Sequence, residues 1–118
     1  YTEFKHVYDF VSRYAARKKE AVQIVLFSMK LTDKFGDVYI EDVMERFEES
    51  MTSALRTVDT GTRYSSSQYI MILLGADMDN GCKVAERVIE NFLTRNETIR
   101  DKVKVRYDIK TMETQTNE

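Results

Sequence analysis

The sequence of 118 residues contains no proline, one cysteine and one histidine. Because no proline-rich or low-complexity stretch marks an internal linker, we expect residues 1–118 to form a single domain. Cys82 has no second cysteine with which to form an intrachain disulfide or a cysteine metal cluster. Such sparse use of cysteine is typical of a reducing compartment, so we expect a cytoplasmic location, or the cytosolic part of a membrane-anchored parent.

Long apolar runs and an excess of positive charge are also missing. No stretch reaches the roughly 18 apolar residues that a membrane-spanning helix needs, so none is expected in this fragment. The net charge of -2 argues against a nucleic-acid partner, because such a surface must neutralise phosphates. The chain starts with Tyr1 rather than methionine, and we expect it to be a fragment of a longer multidomain protein.

Hydrophobic periodicity predicts an α+β domain. The expected order is α-β-α-β-β-α-β, with helices at 2–19, 38–57 and around Val84, Val88, Ile89 and Phe92, and strands at 21–29, 60–64, 68–74 and 103–110. The first of these strands is apolar at most of its positions, which is typical of burial on both faces. Right-handed crossovers then give a ferredoxin-like central antiparallel sheet, as in the nucleotide-cyclase palm, with both long helices on one face.

The centre of the chain carries a motif that resembles a known family. The sequence RYSSSQY, residues 63–69, runs into the apolar strand IMILL and resembles the RYGGDEF hairpin of GGDEF (diguanylate cyclase) domains. The segments GDVYIEDVMERF, starting at Gly36, and KVAERVIENF, starting at Lys83, are similar to the neighbouring helices of that family. The resemblance implies a bacterial signalling domain, with sensory or effector domains on the same parent chain and cyclic di-GMP (c-di-GMP) as ligand.

The same resemblance implies that cyclase chemistry has been lost. In the family, two glycines admit the GTP substrate, and acidic side chains bind the magnesium ions. The matching positions here hold Ser65 and Ser66 for the glycines, Ser67 and Gln68 (followed by Tyr69) for the acidic pair, and Ser28 and Lys30 on the upstream strand. Magnesium binding requires carboxylate oxygens. We therefore expect no catalytic residue, no metal site, no cofactor and no enzymatic activity.

A second family feature is preserved. Arg56 and Asp59, in the sequence RTVD, match the Arg-x-x-Asp inhibitory site at which GGDEF domains bind their product, and Arg87 matches its supporting arginine. Lys83 lies one turn before Arg87 on the same side of the helix. Arginine forks bind phosphate and guanine edges bidentately, and Asp59 could accept from a guanine edge. We expect Arg56, Asp59, Lys83 and Arg87 to bind c-di-GMP.

Simpler interpretations stay open. Arg56 and Asp59, three residues apart, could form only a surface salt bridge. The chain would then be a ligand-free structural or protein-interaction domain. Residual purine nucleotide binding is a third alternative, which the missing acidic residues disfavour. The oligomeric state also stays open, and a homodimer is one alternative. The family's enzymes act as dimers, but an inactive domain does not need to form one. Asp37 is interpreted as a helix N-cap.

Overall fold

The computed structural model describes residues 20–32 and 38–112, together with residues 5, 6, 8–10, 12 and 13, which are helical. Most apolar positions of the predicted first helix, among them Phe4, Val7 and Val11, lie outside the described residues. The same holds for Gly36 and for Asp37, whose capping role therefore stays a prediction.

The described elements follow the predicted order. They are β1 (Val22–Leu31), α1 (Ile40–Ala54), β2 (Thr60–Ser65), β3 (Gln68–Leu74), α2 (Met78–Arg95), a short 3-10 turn (Arg100–Lys102) and β4 (Val103–Met112). Helix α1 ends at Ala54, before the predicted boundary of 38–57, because the chain becomes extended at Leu55. The α+β class and the hairpin of β2 and β3 are confirmed.

The four strands form one antiparallel sheet in the order β2-β3-β1-β4. The central strand β1 is fully buried on one face only, because Ile24 and Leu26 on its other face are half-buried and Lys30 is exposed. The prediction of burial on both faces was therefore too strong. Strand β4 lies at an edge and alternates between covered and exposed residues, as its sequence predicts.

Both long helices pack on the same face of the sheet. Val43, Phe47 and Met51 of α1, with Val88 and Phe92 of α2, are buried in one cluster with the inner residues of β1 and β3. The Phe47 ring is its centre, 4.9 Å from the Phe27 ring and 5.4 Å from the Phe92 ring. The amphipathic pattern thus positions the end of α1 beside the flank of α2.

A tight connection between β3 and α2 fixes where α2 begins. Gly75 has φ +74, a conformation that glycine adopts without the strain a side chain brings. The buried Gln23 amide donates to the Ala76 carbonyl at 3.1 Å, and its oxygen accepts from Thr111. Asp77 then caps the helix by accepting from the Asn80 amide at 2.8 Å. The start of α2 is thereby anchored to β1.

Across the part of the chain that the structure describes, helices are too short or too polar to cross a membrane.

Candidate functional site

The polar turn, Ser65–Gln68, is joined to β1 by neutral hydrogen bonds. Ser65 Oγ donates to Gln68 Oε1 at 2.9 Å, and Gln68 Nε2 donates to Ser28 Oγ at 3.1 Å. Ser28 and Gln68 are direct partners in the β1–β3 register. The Met29 amide also donates to the Ser67 carbonyl at 2.9 Å. Three positions matched to the family's acidic residues, Ser28, Ser67 and Gln68, therefore lie together with neutral side chains, whereas the fourth, Lys30, is an exposed cation.

The polar turn does not fit a magnesium ion. Hard divalent cations take anionic oxygen ligands, whereas the hydroxyl of Ser28 and the amide of Gln68 bond to each other. Among the described residues there is no group of three His, Cys, Asp or Glu side chains that could hold a metal.

Arg63 fixes the polar turn to α1. Its Nη1 and Nη2 donate to Glu41 at 3.1 and 2.7 Å, while Nε and Nη2 donate to the Ser65 and Ser66 carbonyls at 3.0 and 2.9 Å. The hydrogen bond lowers the pKa of Glu41 and raises the pKa of Arg63. The arginine side chain occupies turn carbonyls that water or a ligand would otherwise bind.

Tyr69, the last residue of the motif, belongs to the core. Its ring is stacked 6.0 Å from Phe47, and its hydroxyl donates to Glu48 at 3.4 Å. Burial, reinforced by the negative charge of Glu48, raises the pKa of Tyr69 to about 12. Tyr69 therefore packs the β2–β3 hairpin against α1.

A cavity of about 280 Å³ lies where the α1–β2 loop meets α2. Its lining includes all four residues selected from the sequence: Arg56 and Asp59 from the loop, and Lys83 and Arg87 from α2. We call this cavity the arginine pocket. Gly75 and Ala76 form part of its wall, so the tight connection after β3 shapes it. The four side chains therefore line one cavity, and their role in binding stays a prediction.

Asp59 is fully engaged within the loop. Its side chain is 1% exposed and accepts four hydrogen bonds: from the backbone amide, Nε and Nη2 of Arg56, and from the Leu74 amide. A carboxylate has about four acceptor sites, so none is left for a guanine edge. The expected ligand contact by Asp59 is therefore replaced by a positioning role, and the predicted Arg56–Asp59 ion pair is present.

Arg56 is held from one side and open on the other. Its Nε and Nη2 donate to Asp59 at 2.9 Å, and Nη2 also donates to the Leu74 carbonyl at 2.7 Å. The side chain is nevertheless 57% exposed, and Nη1 has no hydrogen-bond partner among the described residues. The guanidinium therefore has a fixed orientation and one nitrogen available to a ligand.

Lys83 and Arg87 of α2 add two positive charges to the arginine pocket. Lys83 Nζ lies 3.6 Å from the exposed Asp79 carboxylate, a weak contact at a solvated surface. Arg87 is exposed and has no ion-pair or hydrogen-bond partner among the residues that the structure describes. Glu86 and Glu90, its neighbours on α2, do not pair with Arg87.

A larger and more open concavity of about 710 Å³ lies beside α1 and the end of α2. It is lined by Glu45, Glu48, Glu49, Thr52, Ser53 and Arg95. Three carboxylates against one guanidinium repel an anionic ligand. The smaller arginine pocket is therefore the better match for a phosphate-bearing molecule.

This domain is thus an α+β unit with a four-stranded antiparallel sheet and two helices on one face. Neither a protein-family model nor a curated protein matches the sequence. Solved structures do match. A DGC protein from Thermotoga maritima aligns with TM-score 0.75 and 15% identity, over 93% of this chain and 78% of that one. The chain has the fold of a GGDEF domain.

Two further structures support the assignment of the fold. The GGDEF domain of DgcB from Caulobacter crescentus, solved with c-di-GMP, aligns with TM-score 0.75 and 12% identity over 96% of this chain and 72% of that one. The active GGEEF domain of a diguanylate cyclase from Vibrio cholerae aligns with TM-score 0.73 and 12% identity over 90% and 71%. At these levels of sequence identity the similarity shows the fold alone. The chemistry must therefore be argued from this chain's own residues.

The sequence did not predict contacts between residues that are far apart in the chain. It did not pair Arg63 with Glu41, which are 22 residues apart. It also did not place Arg106 opposite Ser28, or Lys104 opposite Lys30. The alternating cations of β4 were the available signal, but their partners become known only when β4 pairs with β1.

Proposed function

We propose that the chain is a non-catalytic signalling domain that binds c-di-GMP in the arginine pocket. The observation that carries the proposal is the convergence of Arg56, Lys83 and Arg87 on one cavity. These three cations come from two separate elements, and the chain has a net charge of -2. A local excess of positive charge on a mildly acidic domain favours a phosphate ligand.

Each cation has a distinct part in this binding. Arg87 lacks a competing partner among the described residues, so its planar fork pairs with a phosphate. Lys83 supplies a second, flexible charge. Arg56, oriented by Asp59 and the Leu74 carbonyl, offers Nη1 to a guanine O6 or N7 atom. A volume of about 280 Å³ holds one base and its phosphate, while the rest of the dinucleotide lies over the exposed side chains.

The non-catalytic part of the proposal rests on the polar turn. Phosphoryl transfer between nucleotides depends on metal ions to neutralise developing charge. The neutral hydrogen bonds among Ser65, Gln68 and Ser28 provide no anionic ligand for such an ion. A GGDEF fold that lacks these carboxylates is suited to receiving c-di-GMP rather than making it, and DgcB shows that the fold can hold this molecule.

Calorimetric titration of c-di-GMP into the whole chain tests the proposal, with Arg87→Ala as the main variant. Arg87 is preferable to Arg56 because removing Arg56 would also strip the buried Asp59 of its partner. The matched control is Arg95→Ala, an exposed arginine about 12 Å further along the same helix. We expect wild type and Arg95→Ala to bind equally, and Arg87→Ala to bind at least about tenfold more weakly.

Incubation with GTP and Mg²⁺ tests the absence of catalysis separately. We expect no c-di-GMP to form. Product formation that is lost on adding a chelator would contradict the non-catalytic assignment. Wild-type protein that gives no binding heat at high c-di-GMP concentration, or an Arg87→Ala variant that binds like wild type, would contradict the receptor assignment.

A ligand-free structural or interaction domain is the second candidate. The observation that favours it is the closed Arg56–Asp59 pair, whose three hydrogen bonds, with a fourth from the Leu74 amide to Asp59, hold the α1–β2 loop without any ligand. This candidate predicts no heat with c-di-GMP and an Arg87→Ala variant of unchanged stability. The titration therefore separates the two functions.

A further inference from the structure

Strand β4 forms one edge of the sheet, and one side of its backbone is unpaired in the described part of the chain. All of its residues, Val103–Met112, are aligned with residues of β1. No other strand lies beside β4, and the backbone groups on its far side make no hydrogen bond to another described backbone group. Such an edge can accept a further strand through main-chain hydrogen bonds.

The exposed face of β4 carries an excess of positive charge. Lys104, Arg106 and Lys110 are exposed there, against the one carboxylate of Asp108. None of the three cations makes an ion pair or hydrogen bond with any residue in the described ranges. Two copies of β4 would repel each other at this edge, whereas a strand with carboxylates at the matching positions would be attracted.

The other face of β4 leaves a half-covered row of apolar side chains beside α2. Tyr107 is held against the helix, because its hydroxyl donates to Glu86 at 3.3 Å. Ile89 and Leu93 continue the row of Glu86, since they lie three and seven residues further along α2. We call the half-buried side chains along this line the apolar margin: Val105, Tyr107 and Ile109 of β4, with Ile89 and Leu93 of α2. A strand added beside β4 would remove their remaining apolar surface from water.

We propose that the edge of β4 binds an extended acidic segment of a partner protein by strand addition. The orientation is antiparallel, which is the more stable per residue, and carboxylates of the partner lie opposite Lys104, Arg106 and Lys110. The alternate residues of the partner are apolar and cover the apolar margin. Main-chain hydrogen bonds supply the affinity, and the alternation of acidic and apolar residues supplies the specificity.

This docking edge is separate from both the polar turn and the arginine pocket. The polar turn belongs to the β2–β3 hairpin, which β1 separates from β4. Lys83 and Arg87 of α2 line the arginine pocket, whereas Glu86 of the same helix contacts β4. The proposal therefore does not depend on c-di-GMP binding.

Fluorescence anisotropy with a labelled peptide of sequence EVTVEVE tests the proposal on the whole chain. In the antiparallel register its three glutamates lie opposite Lys110, Arg106 and Lys104, and its threonine lies opposite Asp108. We expect wild type to bind the peptide and Arg106→Glu to bind it about tenfold more weakly. The matched control Arg95→Glu, which reverses an exposed charge on α2, should bind like wild type.

Two further peptides separate strand addition from simple charge attraction. EPTPEPE keeps the three carboxylates, but its prolines cannot donate main-chain hydrogen bonds, so we expect no binding. EVTVKVE places a lysine opposite residue 106. It should bind Arg106→Glu within about threefold of the affinity of wild type for EVTVEVE, because the cross-strand charge pair is restored in reverse.

Failure of EVTVEVE to bind wild type would overturn the docking edge. Equal binding of EPTPEPE would overturn strand addition, because it would show that charge alone attracts the peptide. Equal weakening by Arg106→Glu and Arg95→Glu, or no recovery of Arg106→Glu with EVTVKVE, would contradict the placement of the carboxylates opposite the cations of β4.

Discussion

The polar turn and the arginine pocket, at opposite ends of the sheet, differ in the charge of their hydrogen-bonded side chains. At the end of β1 near the polar turn, Ser28, Ser65 and Gln68 are neutral and bond to one another. At the other end, the arginine pocket combines one buried, fully bonded carboxylate with three cations. The comparison teaches that one GGDEF fold can join its hairpin turn to β1 through neutral side chains and gather three cations around a buried carboxylate at its other end.

The reason lies in what each end needs for folding. The polar turn needs only hydrogen bonds, which neutral side chains supply, and Arg63 ties its carbonyls to Glu41. The α1–β2 loop instead uses Asp59 to bond two backbone amides, those of Arg56 and Leu74. The charge of Asp59 is therefore structural, whereas Arg87 has no described structural partner.

The largest effect should follow the loss of this buried carboxylate. Asp59→Ala leaves the Arg56 guanidinium and two backbone amides without their acceptor, so we expect the free energy of unfolding to fall by about 3 kcal/mol. The control is Asp108→Ala, an exposed carboxylate on β4, which should change stability by less than about 0.5 kcal/mol. Urea denaturation measures both. A loss below about 1 kcal/mol for Asp59→Ala would show that Asp59 is not the anchor of the loop.

A medium effect should follow the introduction of carboxylates at the polar turn. In Ser28→Asp with Ser67→Glu, two anionic side chains meet at the polar turn, and we expect millimolar Mg²⁺ to raise the melting temperature by about 4 °C relative to EDTA. Wild type should melt at the same temperature in Mg²⁺ and in EDTA. Thermal unfolding followed by circular dichroism gives both values. Stabilisation of wild type by Mg²⁺ would contradict the metal-free interpretation of this end.

The smallest effect concerns the clamp between Glu41 and Arg63. Because Arg63 lowers the pKa of Glu41 below its ordinary value of 4.5, the ionised carboxylate stabilises the fold above that pH. This contribution disappears as the pH falls through the lowered pKa. Glu41→Gln should therefore be slightly less stable than wild type at neutral pH, and the difference should vanish in acid.

Urea midpoints at both pH values measure this difference. Glu45→Gln, one turn further along α1 and without a bond to Arg63, is the control and should show no such pH dependence. A gap between Glu41→Gln and wild type that persists in acid would mean that the clamp acts through packing rather than through charge.

The fold and the arginine pocket were predictable because they depend on local patterns. Phe47 and Val88 fall at helical spacing and are buried, while Val103 and Lys104 alternate along an edge strand. Two helices on one face of the sheet then bring Arg56 near Arg87. The family resemblance selected these cations, and the topology explains why they line one cavity.

Features that depend on atomic detail were not predictable. Whether Asp59 is open to a ligand depends on the Leu74 amide, 15 residues away, which no spacing rule indicates. The opposition of Lys30 and Lys104 follows from the strand register, which a shift of one residue would abolish. The predicted contact of Asp59 with guanine was therefore revised, and the opposition of the two lysines became known only from the paired strands.

The most direct test of the central claim, that ligand binding belongs to the arginine pocket and not to the polar turn, is a two-dimensional amide NMR titration with c-di-GMP in EDTA. We predict that the shifted amides cluster at Arg56, Asp59, Gly75, Lys83 and Arg87, while those of Ser28, Ser65 and Gln68 stay in place. Shifts centred on the polar turn, or no shifts at a large excess of ligand, would contradict the claim.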